Sequence, residues 1–87
     1  MDRINIKLTI EERDLILNKT FAGDDLTERL KEAKVEGNYI TVVYTLDEVD
    51  DLAGFIAAEA NHSEDRKQAR MLEALYDKIS DIENKYL

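Results

Sequence analysis

The side chains with the most chemistry to offer lie close together. Glu59-Ala60-Asn61-His62 sets a carboxylate and the chain's one histidine at positions i and i+3. On a helix the two share a face, and paired Glu-x-x-His motifs hold the dinuclear metal centres of some helical bundles. Glu48, Leu52, Phe55, Glu59 and His62 fall on one ridge of such a helix, with Asp51 beside it. Glu59 and His62 are therefore candidate metal ligands, with carboxylates such as Glu48 and Asp51 in support. A dinuclear centre needs two such pairs and two further carboxylates, so a second copy of the chain would have to supply the rest. The same residues also have a simpler, local reading. An imidazolium at a helix C-terminus is stabilised by the dipole, and Glu59 one turn back adds to that.

Other chemistries find little support. The chain has no cysteine, which excludes disulfides and thiolate zinc sites. It has no Gly-x-Ser-x-Gly elbow, and Gly23, Gly37 and Gly54 stand too far apart for a phosphate-binding loop. The sequence thus points to no catalytic residue and no cofactor, and to a protein more plausibly non-enzymatic than enzymatic.

The formal net charge is −8 and the sequence pI about 4.5. Phosphate backbones and anionic membrane surfaces repel such a chain, so no nucleic acid and no membrane is expected as partner. The one basic cluster, Arg66, Lys67 and Arg70, reads as a solvated helix face paired with Glu64, Asp65 and Glu73. A third reading is an antitoxin-like or transcription-associated role through helix 64–85, although the acidity argues against direct DNA contact there. No apolar run approaches the ~20 residues that span a bilayer, and Met1-Asp2-Arg3 opens no apolar leader. With no cysteine, a reducing cytoplasmic compartment is the expected location. The 87 residues make a single small domain, 1–87, with a thin core.

The elements that must position these residues follow from patterning. Ile4, Ile6 and Leu8 alternate with Arg3, Asn5 and Lys7, the period of a half-buried strand over 3–8. Thr9 and Glu12 form a capping box for a helix to about Asn18, which would bury Ile10, Leu17 and either Leu15 or Ile16. Gly23 supplies a positive φ or slack, and Asp24 or Asp25 caps a second helix with the stripe Leu26, Leu30, Ala33. Glu36-Gly37-Asn38 reads as a turn, with Val35 starting a short partner strand. Residues 39–45 are the strongest strand, apolar on both faces: Ile40, Val42 and Tyr44 on one, Tyr39 and Val43 on the other. Such a strand is expected to be central or covered twice.

Thr45 and Glu48 repeat the capping box, and Ile4–Asp14 echoes Ile40–Asp50 as strand, Thr cap, Glu and helix. A duplicated βα unit would look like this, but any strand-to-helix junction uses the same chemistry. The stripe Leu46, Val49, Ala53, Ile56, Ala60 predicts a helix over 46–61, in which Gly54 and Ala58 let a neighbour approach. A second stripe, Leu72, Leu75, Ile79, Ile82, Tyr86, widened by Tyr76, is out of phase with the first. The pattern therefore breaks at Asn61-His62-Ser63, with Ser63 as N-cap of a helix over 64–85. The fold class is α+β: a two- or three-stranded sheet packed with short helices and a C-terminal antiparallel helical hairpin (46–61, 64–85).

Phe55 lies about 120° from the middle of the first stripe, and Leu52 bridges toward it. That helix is expected to bury two faces, the second against the last helix or another subunit. Leu52, Phe55 and Tyr86 are accordingly the candidate interaction surface, and a homodimer is the expected assembly. The functional expectation is a non-enzymatic protein-interaction or regulatory module that self-associates. The alternative is a carboxylate/histidine metal-binding protein or metal-dependent enzyme built on Glu59 and His62.

Overall fold

The computed structural model describes residues 3–87. Met1 and Asp2, which the sequence reading includes in domain 1–87 and in the judgement about a leader, lie outside the described residues. Seven elements follow one another: β1 (Arg3–Thr9), α1 (Ile10–Lys19), α2 (Asp24–Glu32), β2 (Val35–Glu36), β3 (Tyr39–Thr45), α3 (Leu46–His62) and α4 (Arg66–Asn84). The class is α+β, with the last two helices packed as a C-terminal pair.

The sheet is antiparallel in the order β1-β3-β2, so the strongest strand is central. β1 pairs with β3 over its whole length, from Arg3 opposite Thr45 to Thr9 opposite Tyr39. β2 contributes only Val35 opposite Ile40 and Glu36 opposite Tyr39. The loop between them is Gly37-Asn38, with Gly37 at φ 63°. A two-residue hairpin loop needs this left-handed conformation at its first position, where glycine carries no steric cost.

Strand alternation sends Ile4, Ile6, Leu8, Ile40, Val42 and Tyr44 into one core with residues of all four helices. The Tyr44 ring is fully buried, and its hydroxyl donates to the Leu26 carbonyl at 2.6 Å. Burial lifts its phenol to about 12, so it stays neutral and bonded. The opposite face of the sheet is not covered. Tyr39 is 43% and Val43 40% exposed, so β3 is central without being covered twice. The apolar outer residues belong to surface.

Both Thr-Glu capping boxes form. Thr9 Oγ1 accepts from the Glu12 amide and Glu12 returns the bond to the Thr9 amide; Thr45 and Glu48 do the same. Elsewhere the caps differ from expectation. Gly23, with φ −63°, is the N-cap of α2 and makes no side-chain cap bond. It supplies slack rather than a left-handed turn, while Asp24 and Asp25 sit in the first turn, where negative charge complements the dipole. At α4 the cap is Asp65, not Ser63: its carboxylate accepts from the Lys67 and Gln68 amides. Ser63 is the C-cap of α3 and donates to the Asp65 carbonyl. The break therefore spans 63–65, and α3 keeps His62.

Burial along the helices also refines the stripes. α1 fully buries Ile16 alone, with Ile10, Leu15 and Leu17 only partly covered. Val49, Leu52, Ala53 and Ile56 are buried on α3, and Leu72, Leu75 and Ile79 on α4. Tyr76 and Tyr86, at the margin and end of the second stripe, are exposed. Gly54 is exposed too, and a Cβ built there meets nothing within 4 Å. The expected close approach at Gly54 does not occur. Among the described residues no helix is long and apolar enough to cross a membrane.

Candidate functional site

The residues singled out by sequence separate in space. Leu52 is fully buried in the chain's own core, so it is not available as surface. Tyr86 is exposed beyond the last turn of α4. Phe55 is half-buried and faces α2, not the last helix: it lines a cleft of about 510 Å³ with Gly23, Asp24, Asp25, Leu26, Glu48 and Asp51. The side of α3 that carries Phe55 thus borders an open cleft whose other wall is the start of α2. Glu59 is half-buried and His62 exposed on the last turn of α3. Among the described residues, no three His, Cys, Asp or Glu side chains gather where they could hold a metal ion. The cluster Arg66, Lys67 and Arg70 is exposed at the start of α4.

The surface with the most distinctive chemistry is the open face of the sheet. Its rows follow from the register: Arg3 beside Thr45, Asn5 beside Val43, Lys7 beside Thr41, Thr9 beside Tyr39. Neither strand carries an Asp or Glu. The Lys7 ammonium sits 4.4 Å from the centre of the Tyr39 ring, within range of a cation–π contact. Lys34 and Glu36 flank them around a depression of about 170 Å³. At the other end Arg3, Arg29, Val43, Thr45 and Glu48 line a second depression. Arg3, Lys7, Arg29 and Lys34 are a third of the chain's 12 Lys and Arg. Arg29 is paired with Glu48 and Glu36 stands beside Lys34, so among the described residues the unpaired cations on the strands themselves are Arg3 and Lys7, set around an exposed Tyr and Val in a chain of net charge −8.

The boundary of this face is an ion pair. Arg29 of α2 bonds Glu48 of α3 and also donates to the Val43 carbonyl at 3.5 Å. Glu48 accepts from the Thr45 amide with the same oxygen. The Arg29 hydrogen bond, followed by that from the Thr45 backbone, holds the Glu48 carboxyl below the usual carboxylate range. One side chain thus closes a helix cap and ties α2 to α3. On one side of the pair lies the basic sheet face; on the other lies the acidic cleft around Phe55. At the same end of the helix pair, where α4 finishes beside the start of α3, burial raises the Glu83 carboxyl, and the neighbouring Asp50 carboxyl on α3 raises it further.

Sequence reasoning missed both the open face and the cleft. The alternation in β1 did carry a signal, because Arg3, Asn5 and Lys7 had to face away from the core. The two-sided apolarity of residues 39–45 obscured it. The cleft joins residues 23–26 to 48–55, and no local pattern links them. No family model, no characterised protein and no solved structure matches the chain.

Proposed function

We propose that the protein is a non-enzymatic interaction module whose open sheet face docks an acidic surface of a protein partner. The observation that supports this reading is the composition of that face: Tyr39 and Val43 exposed among Arg3, Lys7, Arg29 and Lys34 on an otherwise acidic chain. An aromatic and an aliphatic anchor ringed by cations suits a partner patch of carboxylates around apolar side chains. A protein surface fits better than nucleic acid. The face offers one aromatic, already beneath Lys7, where single-strand binders set out several stacking platforms. Glu36 and Glu48 also border the depressions at its two ends. The cysteine-free chain suits a cytoplasmic setting.

Titrating labelled protein with a glutamate-rich peptide carrying aromatic residues tests the reading by NMR. Amide shifts should map to β1 and β3, and Lys7→Glu should abolish them. Shifts confined to other elements would overturn the assignment. So would a single-stranded oligonucleotide that binds this face more tightly than the peptide does.

A further inference from the structure

The open face and the acidic cleft stand on either side of the Arg29–Glu48 pair, and their chemistries are complementary. The face presents Arg3 and Lys7 around Tyr39 and Val43. The cleft presents Asp24, Asp25, Glu48 and Asp51 around Leu26 and Phe55. Its volume of about 510 Å³ is enough to admit several side chains at once. Resting on the reading of the face as a docking surface for acidic partners, we infer that one such partner is a second copy of this chain, whose Asp25/Asp51 cleft receives the sheet face of the first.

Electrostatics select face on cleft over either like-on-like contact. A two-fold face-to-face contact would set Arg3 and Lys7 against a second Arg3 and Lys7. A cleft-to-cleft contact would oppose two sets of carboxylates. Like charges brought together in an interface are strongly disfavoured. Face on cleft pairs opposite charges at short range, while the repulsion between two chains of net charge −8 is screened beyond about 8 Å at physiological ionic strength. Face and cleft are neighbours on each copy, so a two-fold pair can seat each copy's face on the other's cleft and close at two, while a one-sided contact would leave one face and one cleft free for further copies.

Sedimentation velocity on the whole chain tests this with two variants. Arg3→Ala/Lys7→Ala neutralises the face, and Asp25→Asn/Asp51→Asn neutralises the cleft; all four side chains are exposed, and circular dichroism checks that the fold survives. The wild-type chain should form species larger than its 10.0 kDa monomer as concentration rises. Each variant alone should associate about tenfold more weakly, the equivalent of losing one good interfacial charge contact. An equimolar mixture should associate more tightly than either variant alone, because the intact face of the cleft variant fits the intact cleft of the face variant. A mixture that stays monomeric while the wild type assembles overturns the proposal, as does a variant that assembles unimpaired. If the wild type stays monomeric yet the acidic peptide still shifts β1 and β3, the second copy falls and the docking face stands. If neither is seen, both fall.

Discussion

The chain makes the same strand-to-helix junction twice. At Thr9 and again at Thr45, a threonine hydroxyl accepts the amide three residues on, and a glutamate returns the bond. Each glutamate also pairs with a cation on a distant helix: Glu12 with Lys78 of α4 at 2.8 Å, Glu48 with Arg29 of α2. The matching ends there. α1 fully buries one side chain, whereas α3 buries Val49, Leu52, Ala53 and Ile56. Tyr44, one residue before the second cap, is bonded to α2; Leu8, in the same place before the first, has no polar group to offer. A cap decides where a helix begins, and the apolar stripe behind it decides how much that helix contributes to the core.

Core truncation should separate the two junctions most. Ile56→Ala on α3 should cost about 2–5 kcal/mol in urea unfolding, because a buried side chain leaves both a transfer loss and a cavity. Leu17→Ala, half-buried on α1, should cost about 1 kcal/mol; equal losses would break the comparison. Removing the caps should bring the junctions back together. Thr9→Ala and Thr45→Ala should each cost about 0.5–2 kcal/mol, and a clear gap between them would show that the distant ion pairs, not the caps, carry these sites. Tyr44→Phe should cost about 0.5–1.5 kcal/mol, the net value of one hydrogen bond. In the wild type, spectrophotometric titration should find this phenol still protonated until about pH 12.

A gain is expected inside α3. Gly54→Ala should stabilise the chain by up to about 1 kcal/mol, since the added methyl meets nothing and the helix loses its most flexible residue.

The smallest effect concerns pH. Glu48 ionises more readily folded than unfolded, so it contributes stability above the ordinary carboxylate range. That contribution is lost as pH falls through its folded value. Glu83 has the opposite sign: its carboxyl is raised, so its contribution favours the fold increasingly as pH drops. Glu48→Gln should therefore lessen the acid-induced loss seen by denaturant titration, by under about 1 kcal/mol for so exposed a pair. Glu83→Gln should stabilise the chain slightly at neutral pH.

Much of this architecture was legible in the residues themselves. Both capping boxes, the strands at 3–8 and 39–45, and the phase break between the helical stripes depend on neighbours a few positions apart. The misreadings came where two local solutions competed. Ser63 and Asp65 can both cap a helix, and the carboxylate two residues on won by reaching two amides at once. The candidate surface was less legible. Phe55 was rightly placed off the main stripe, yet its neighbours at residues 23–26 are set by how α2 returns over the sheet. Nothing in a helical wheel says that Leu52 is covered and Tyr86 is not.

The brevity of β2 has a further consequence. It pairs only with Tyr39 and Ile40, so the flank of β3 from Thr41 to Thr45 has no strand beside it. Arg29 stands against that flank with a guanidinium nitrogen on the Val43 carbonyl. A bare strand flank is a template on which further chains can stack into fibrils. Arg29 covers part of this flank, and a strand adding there must first displace it.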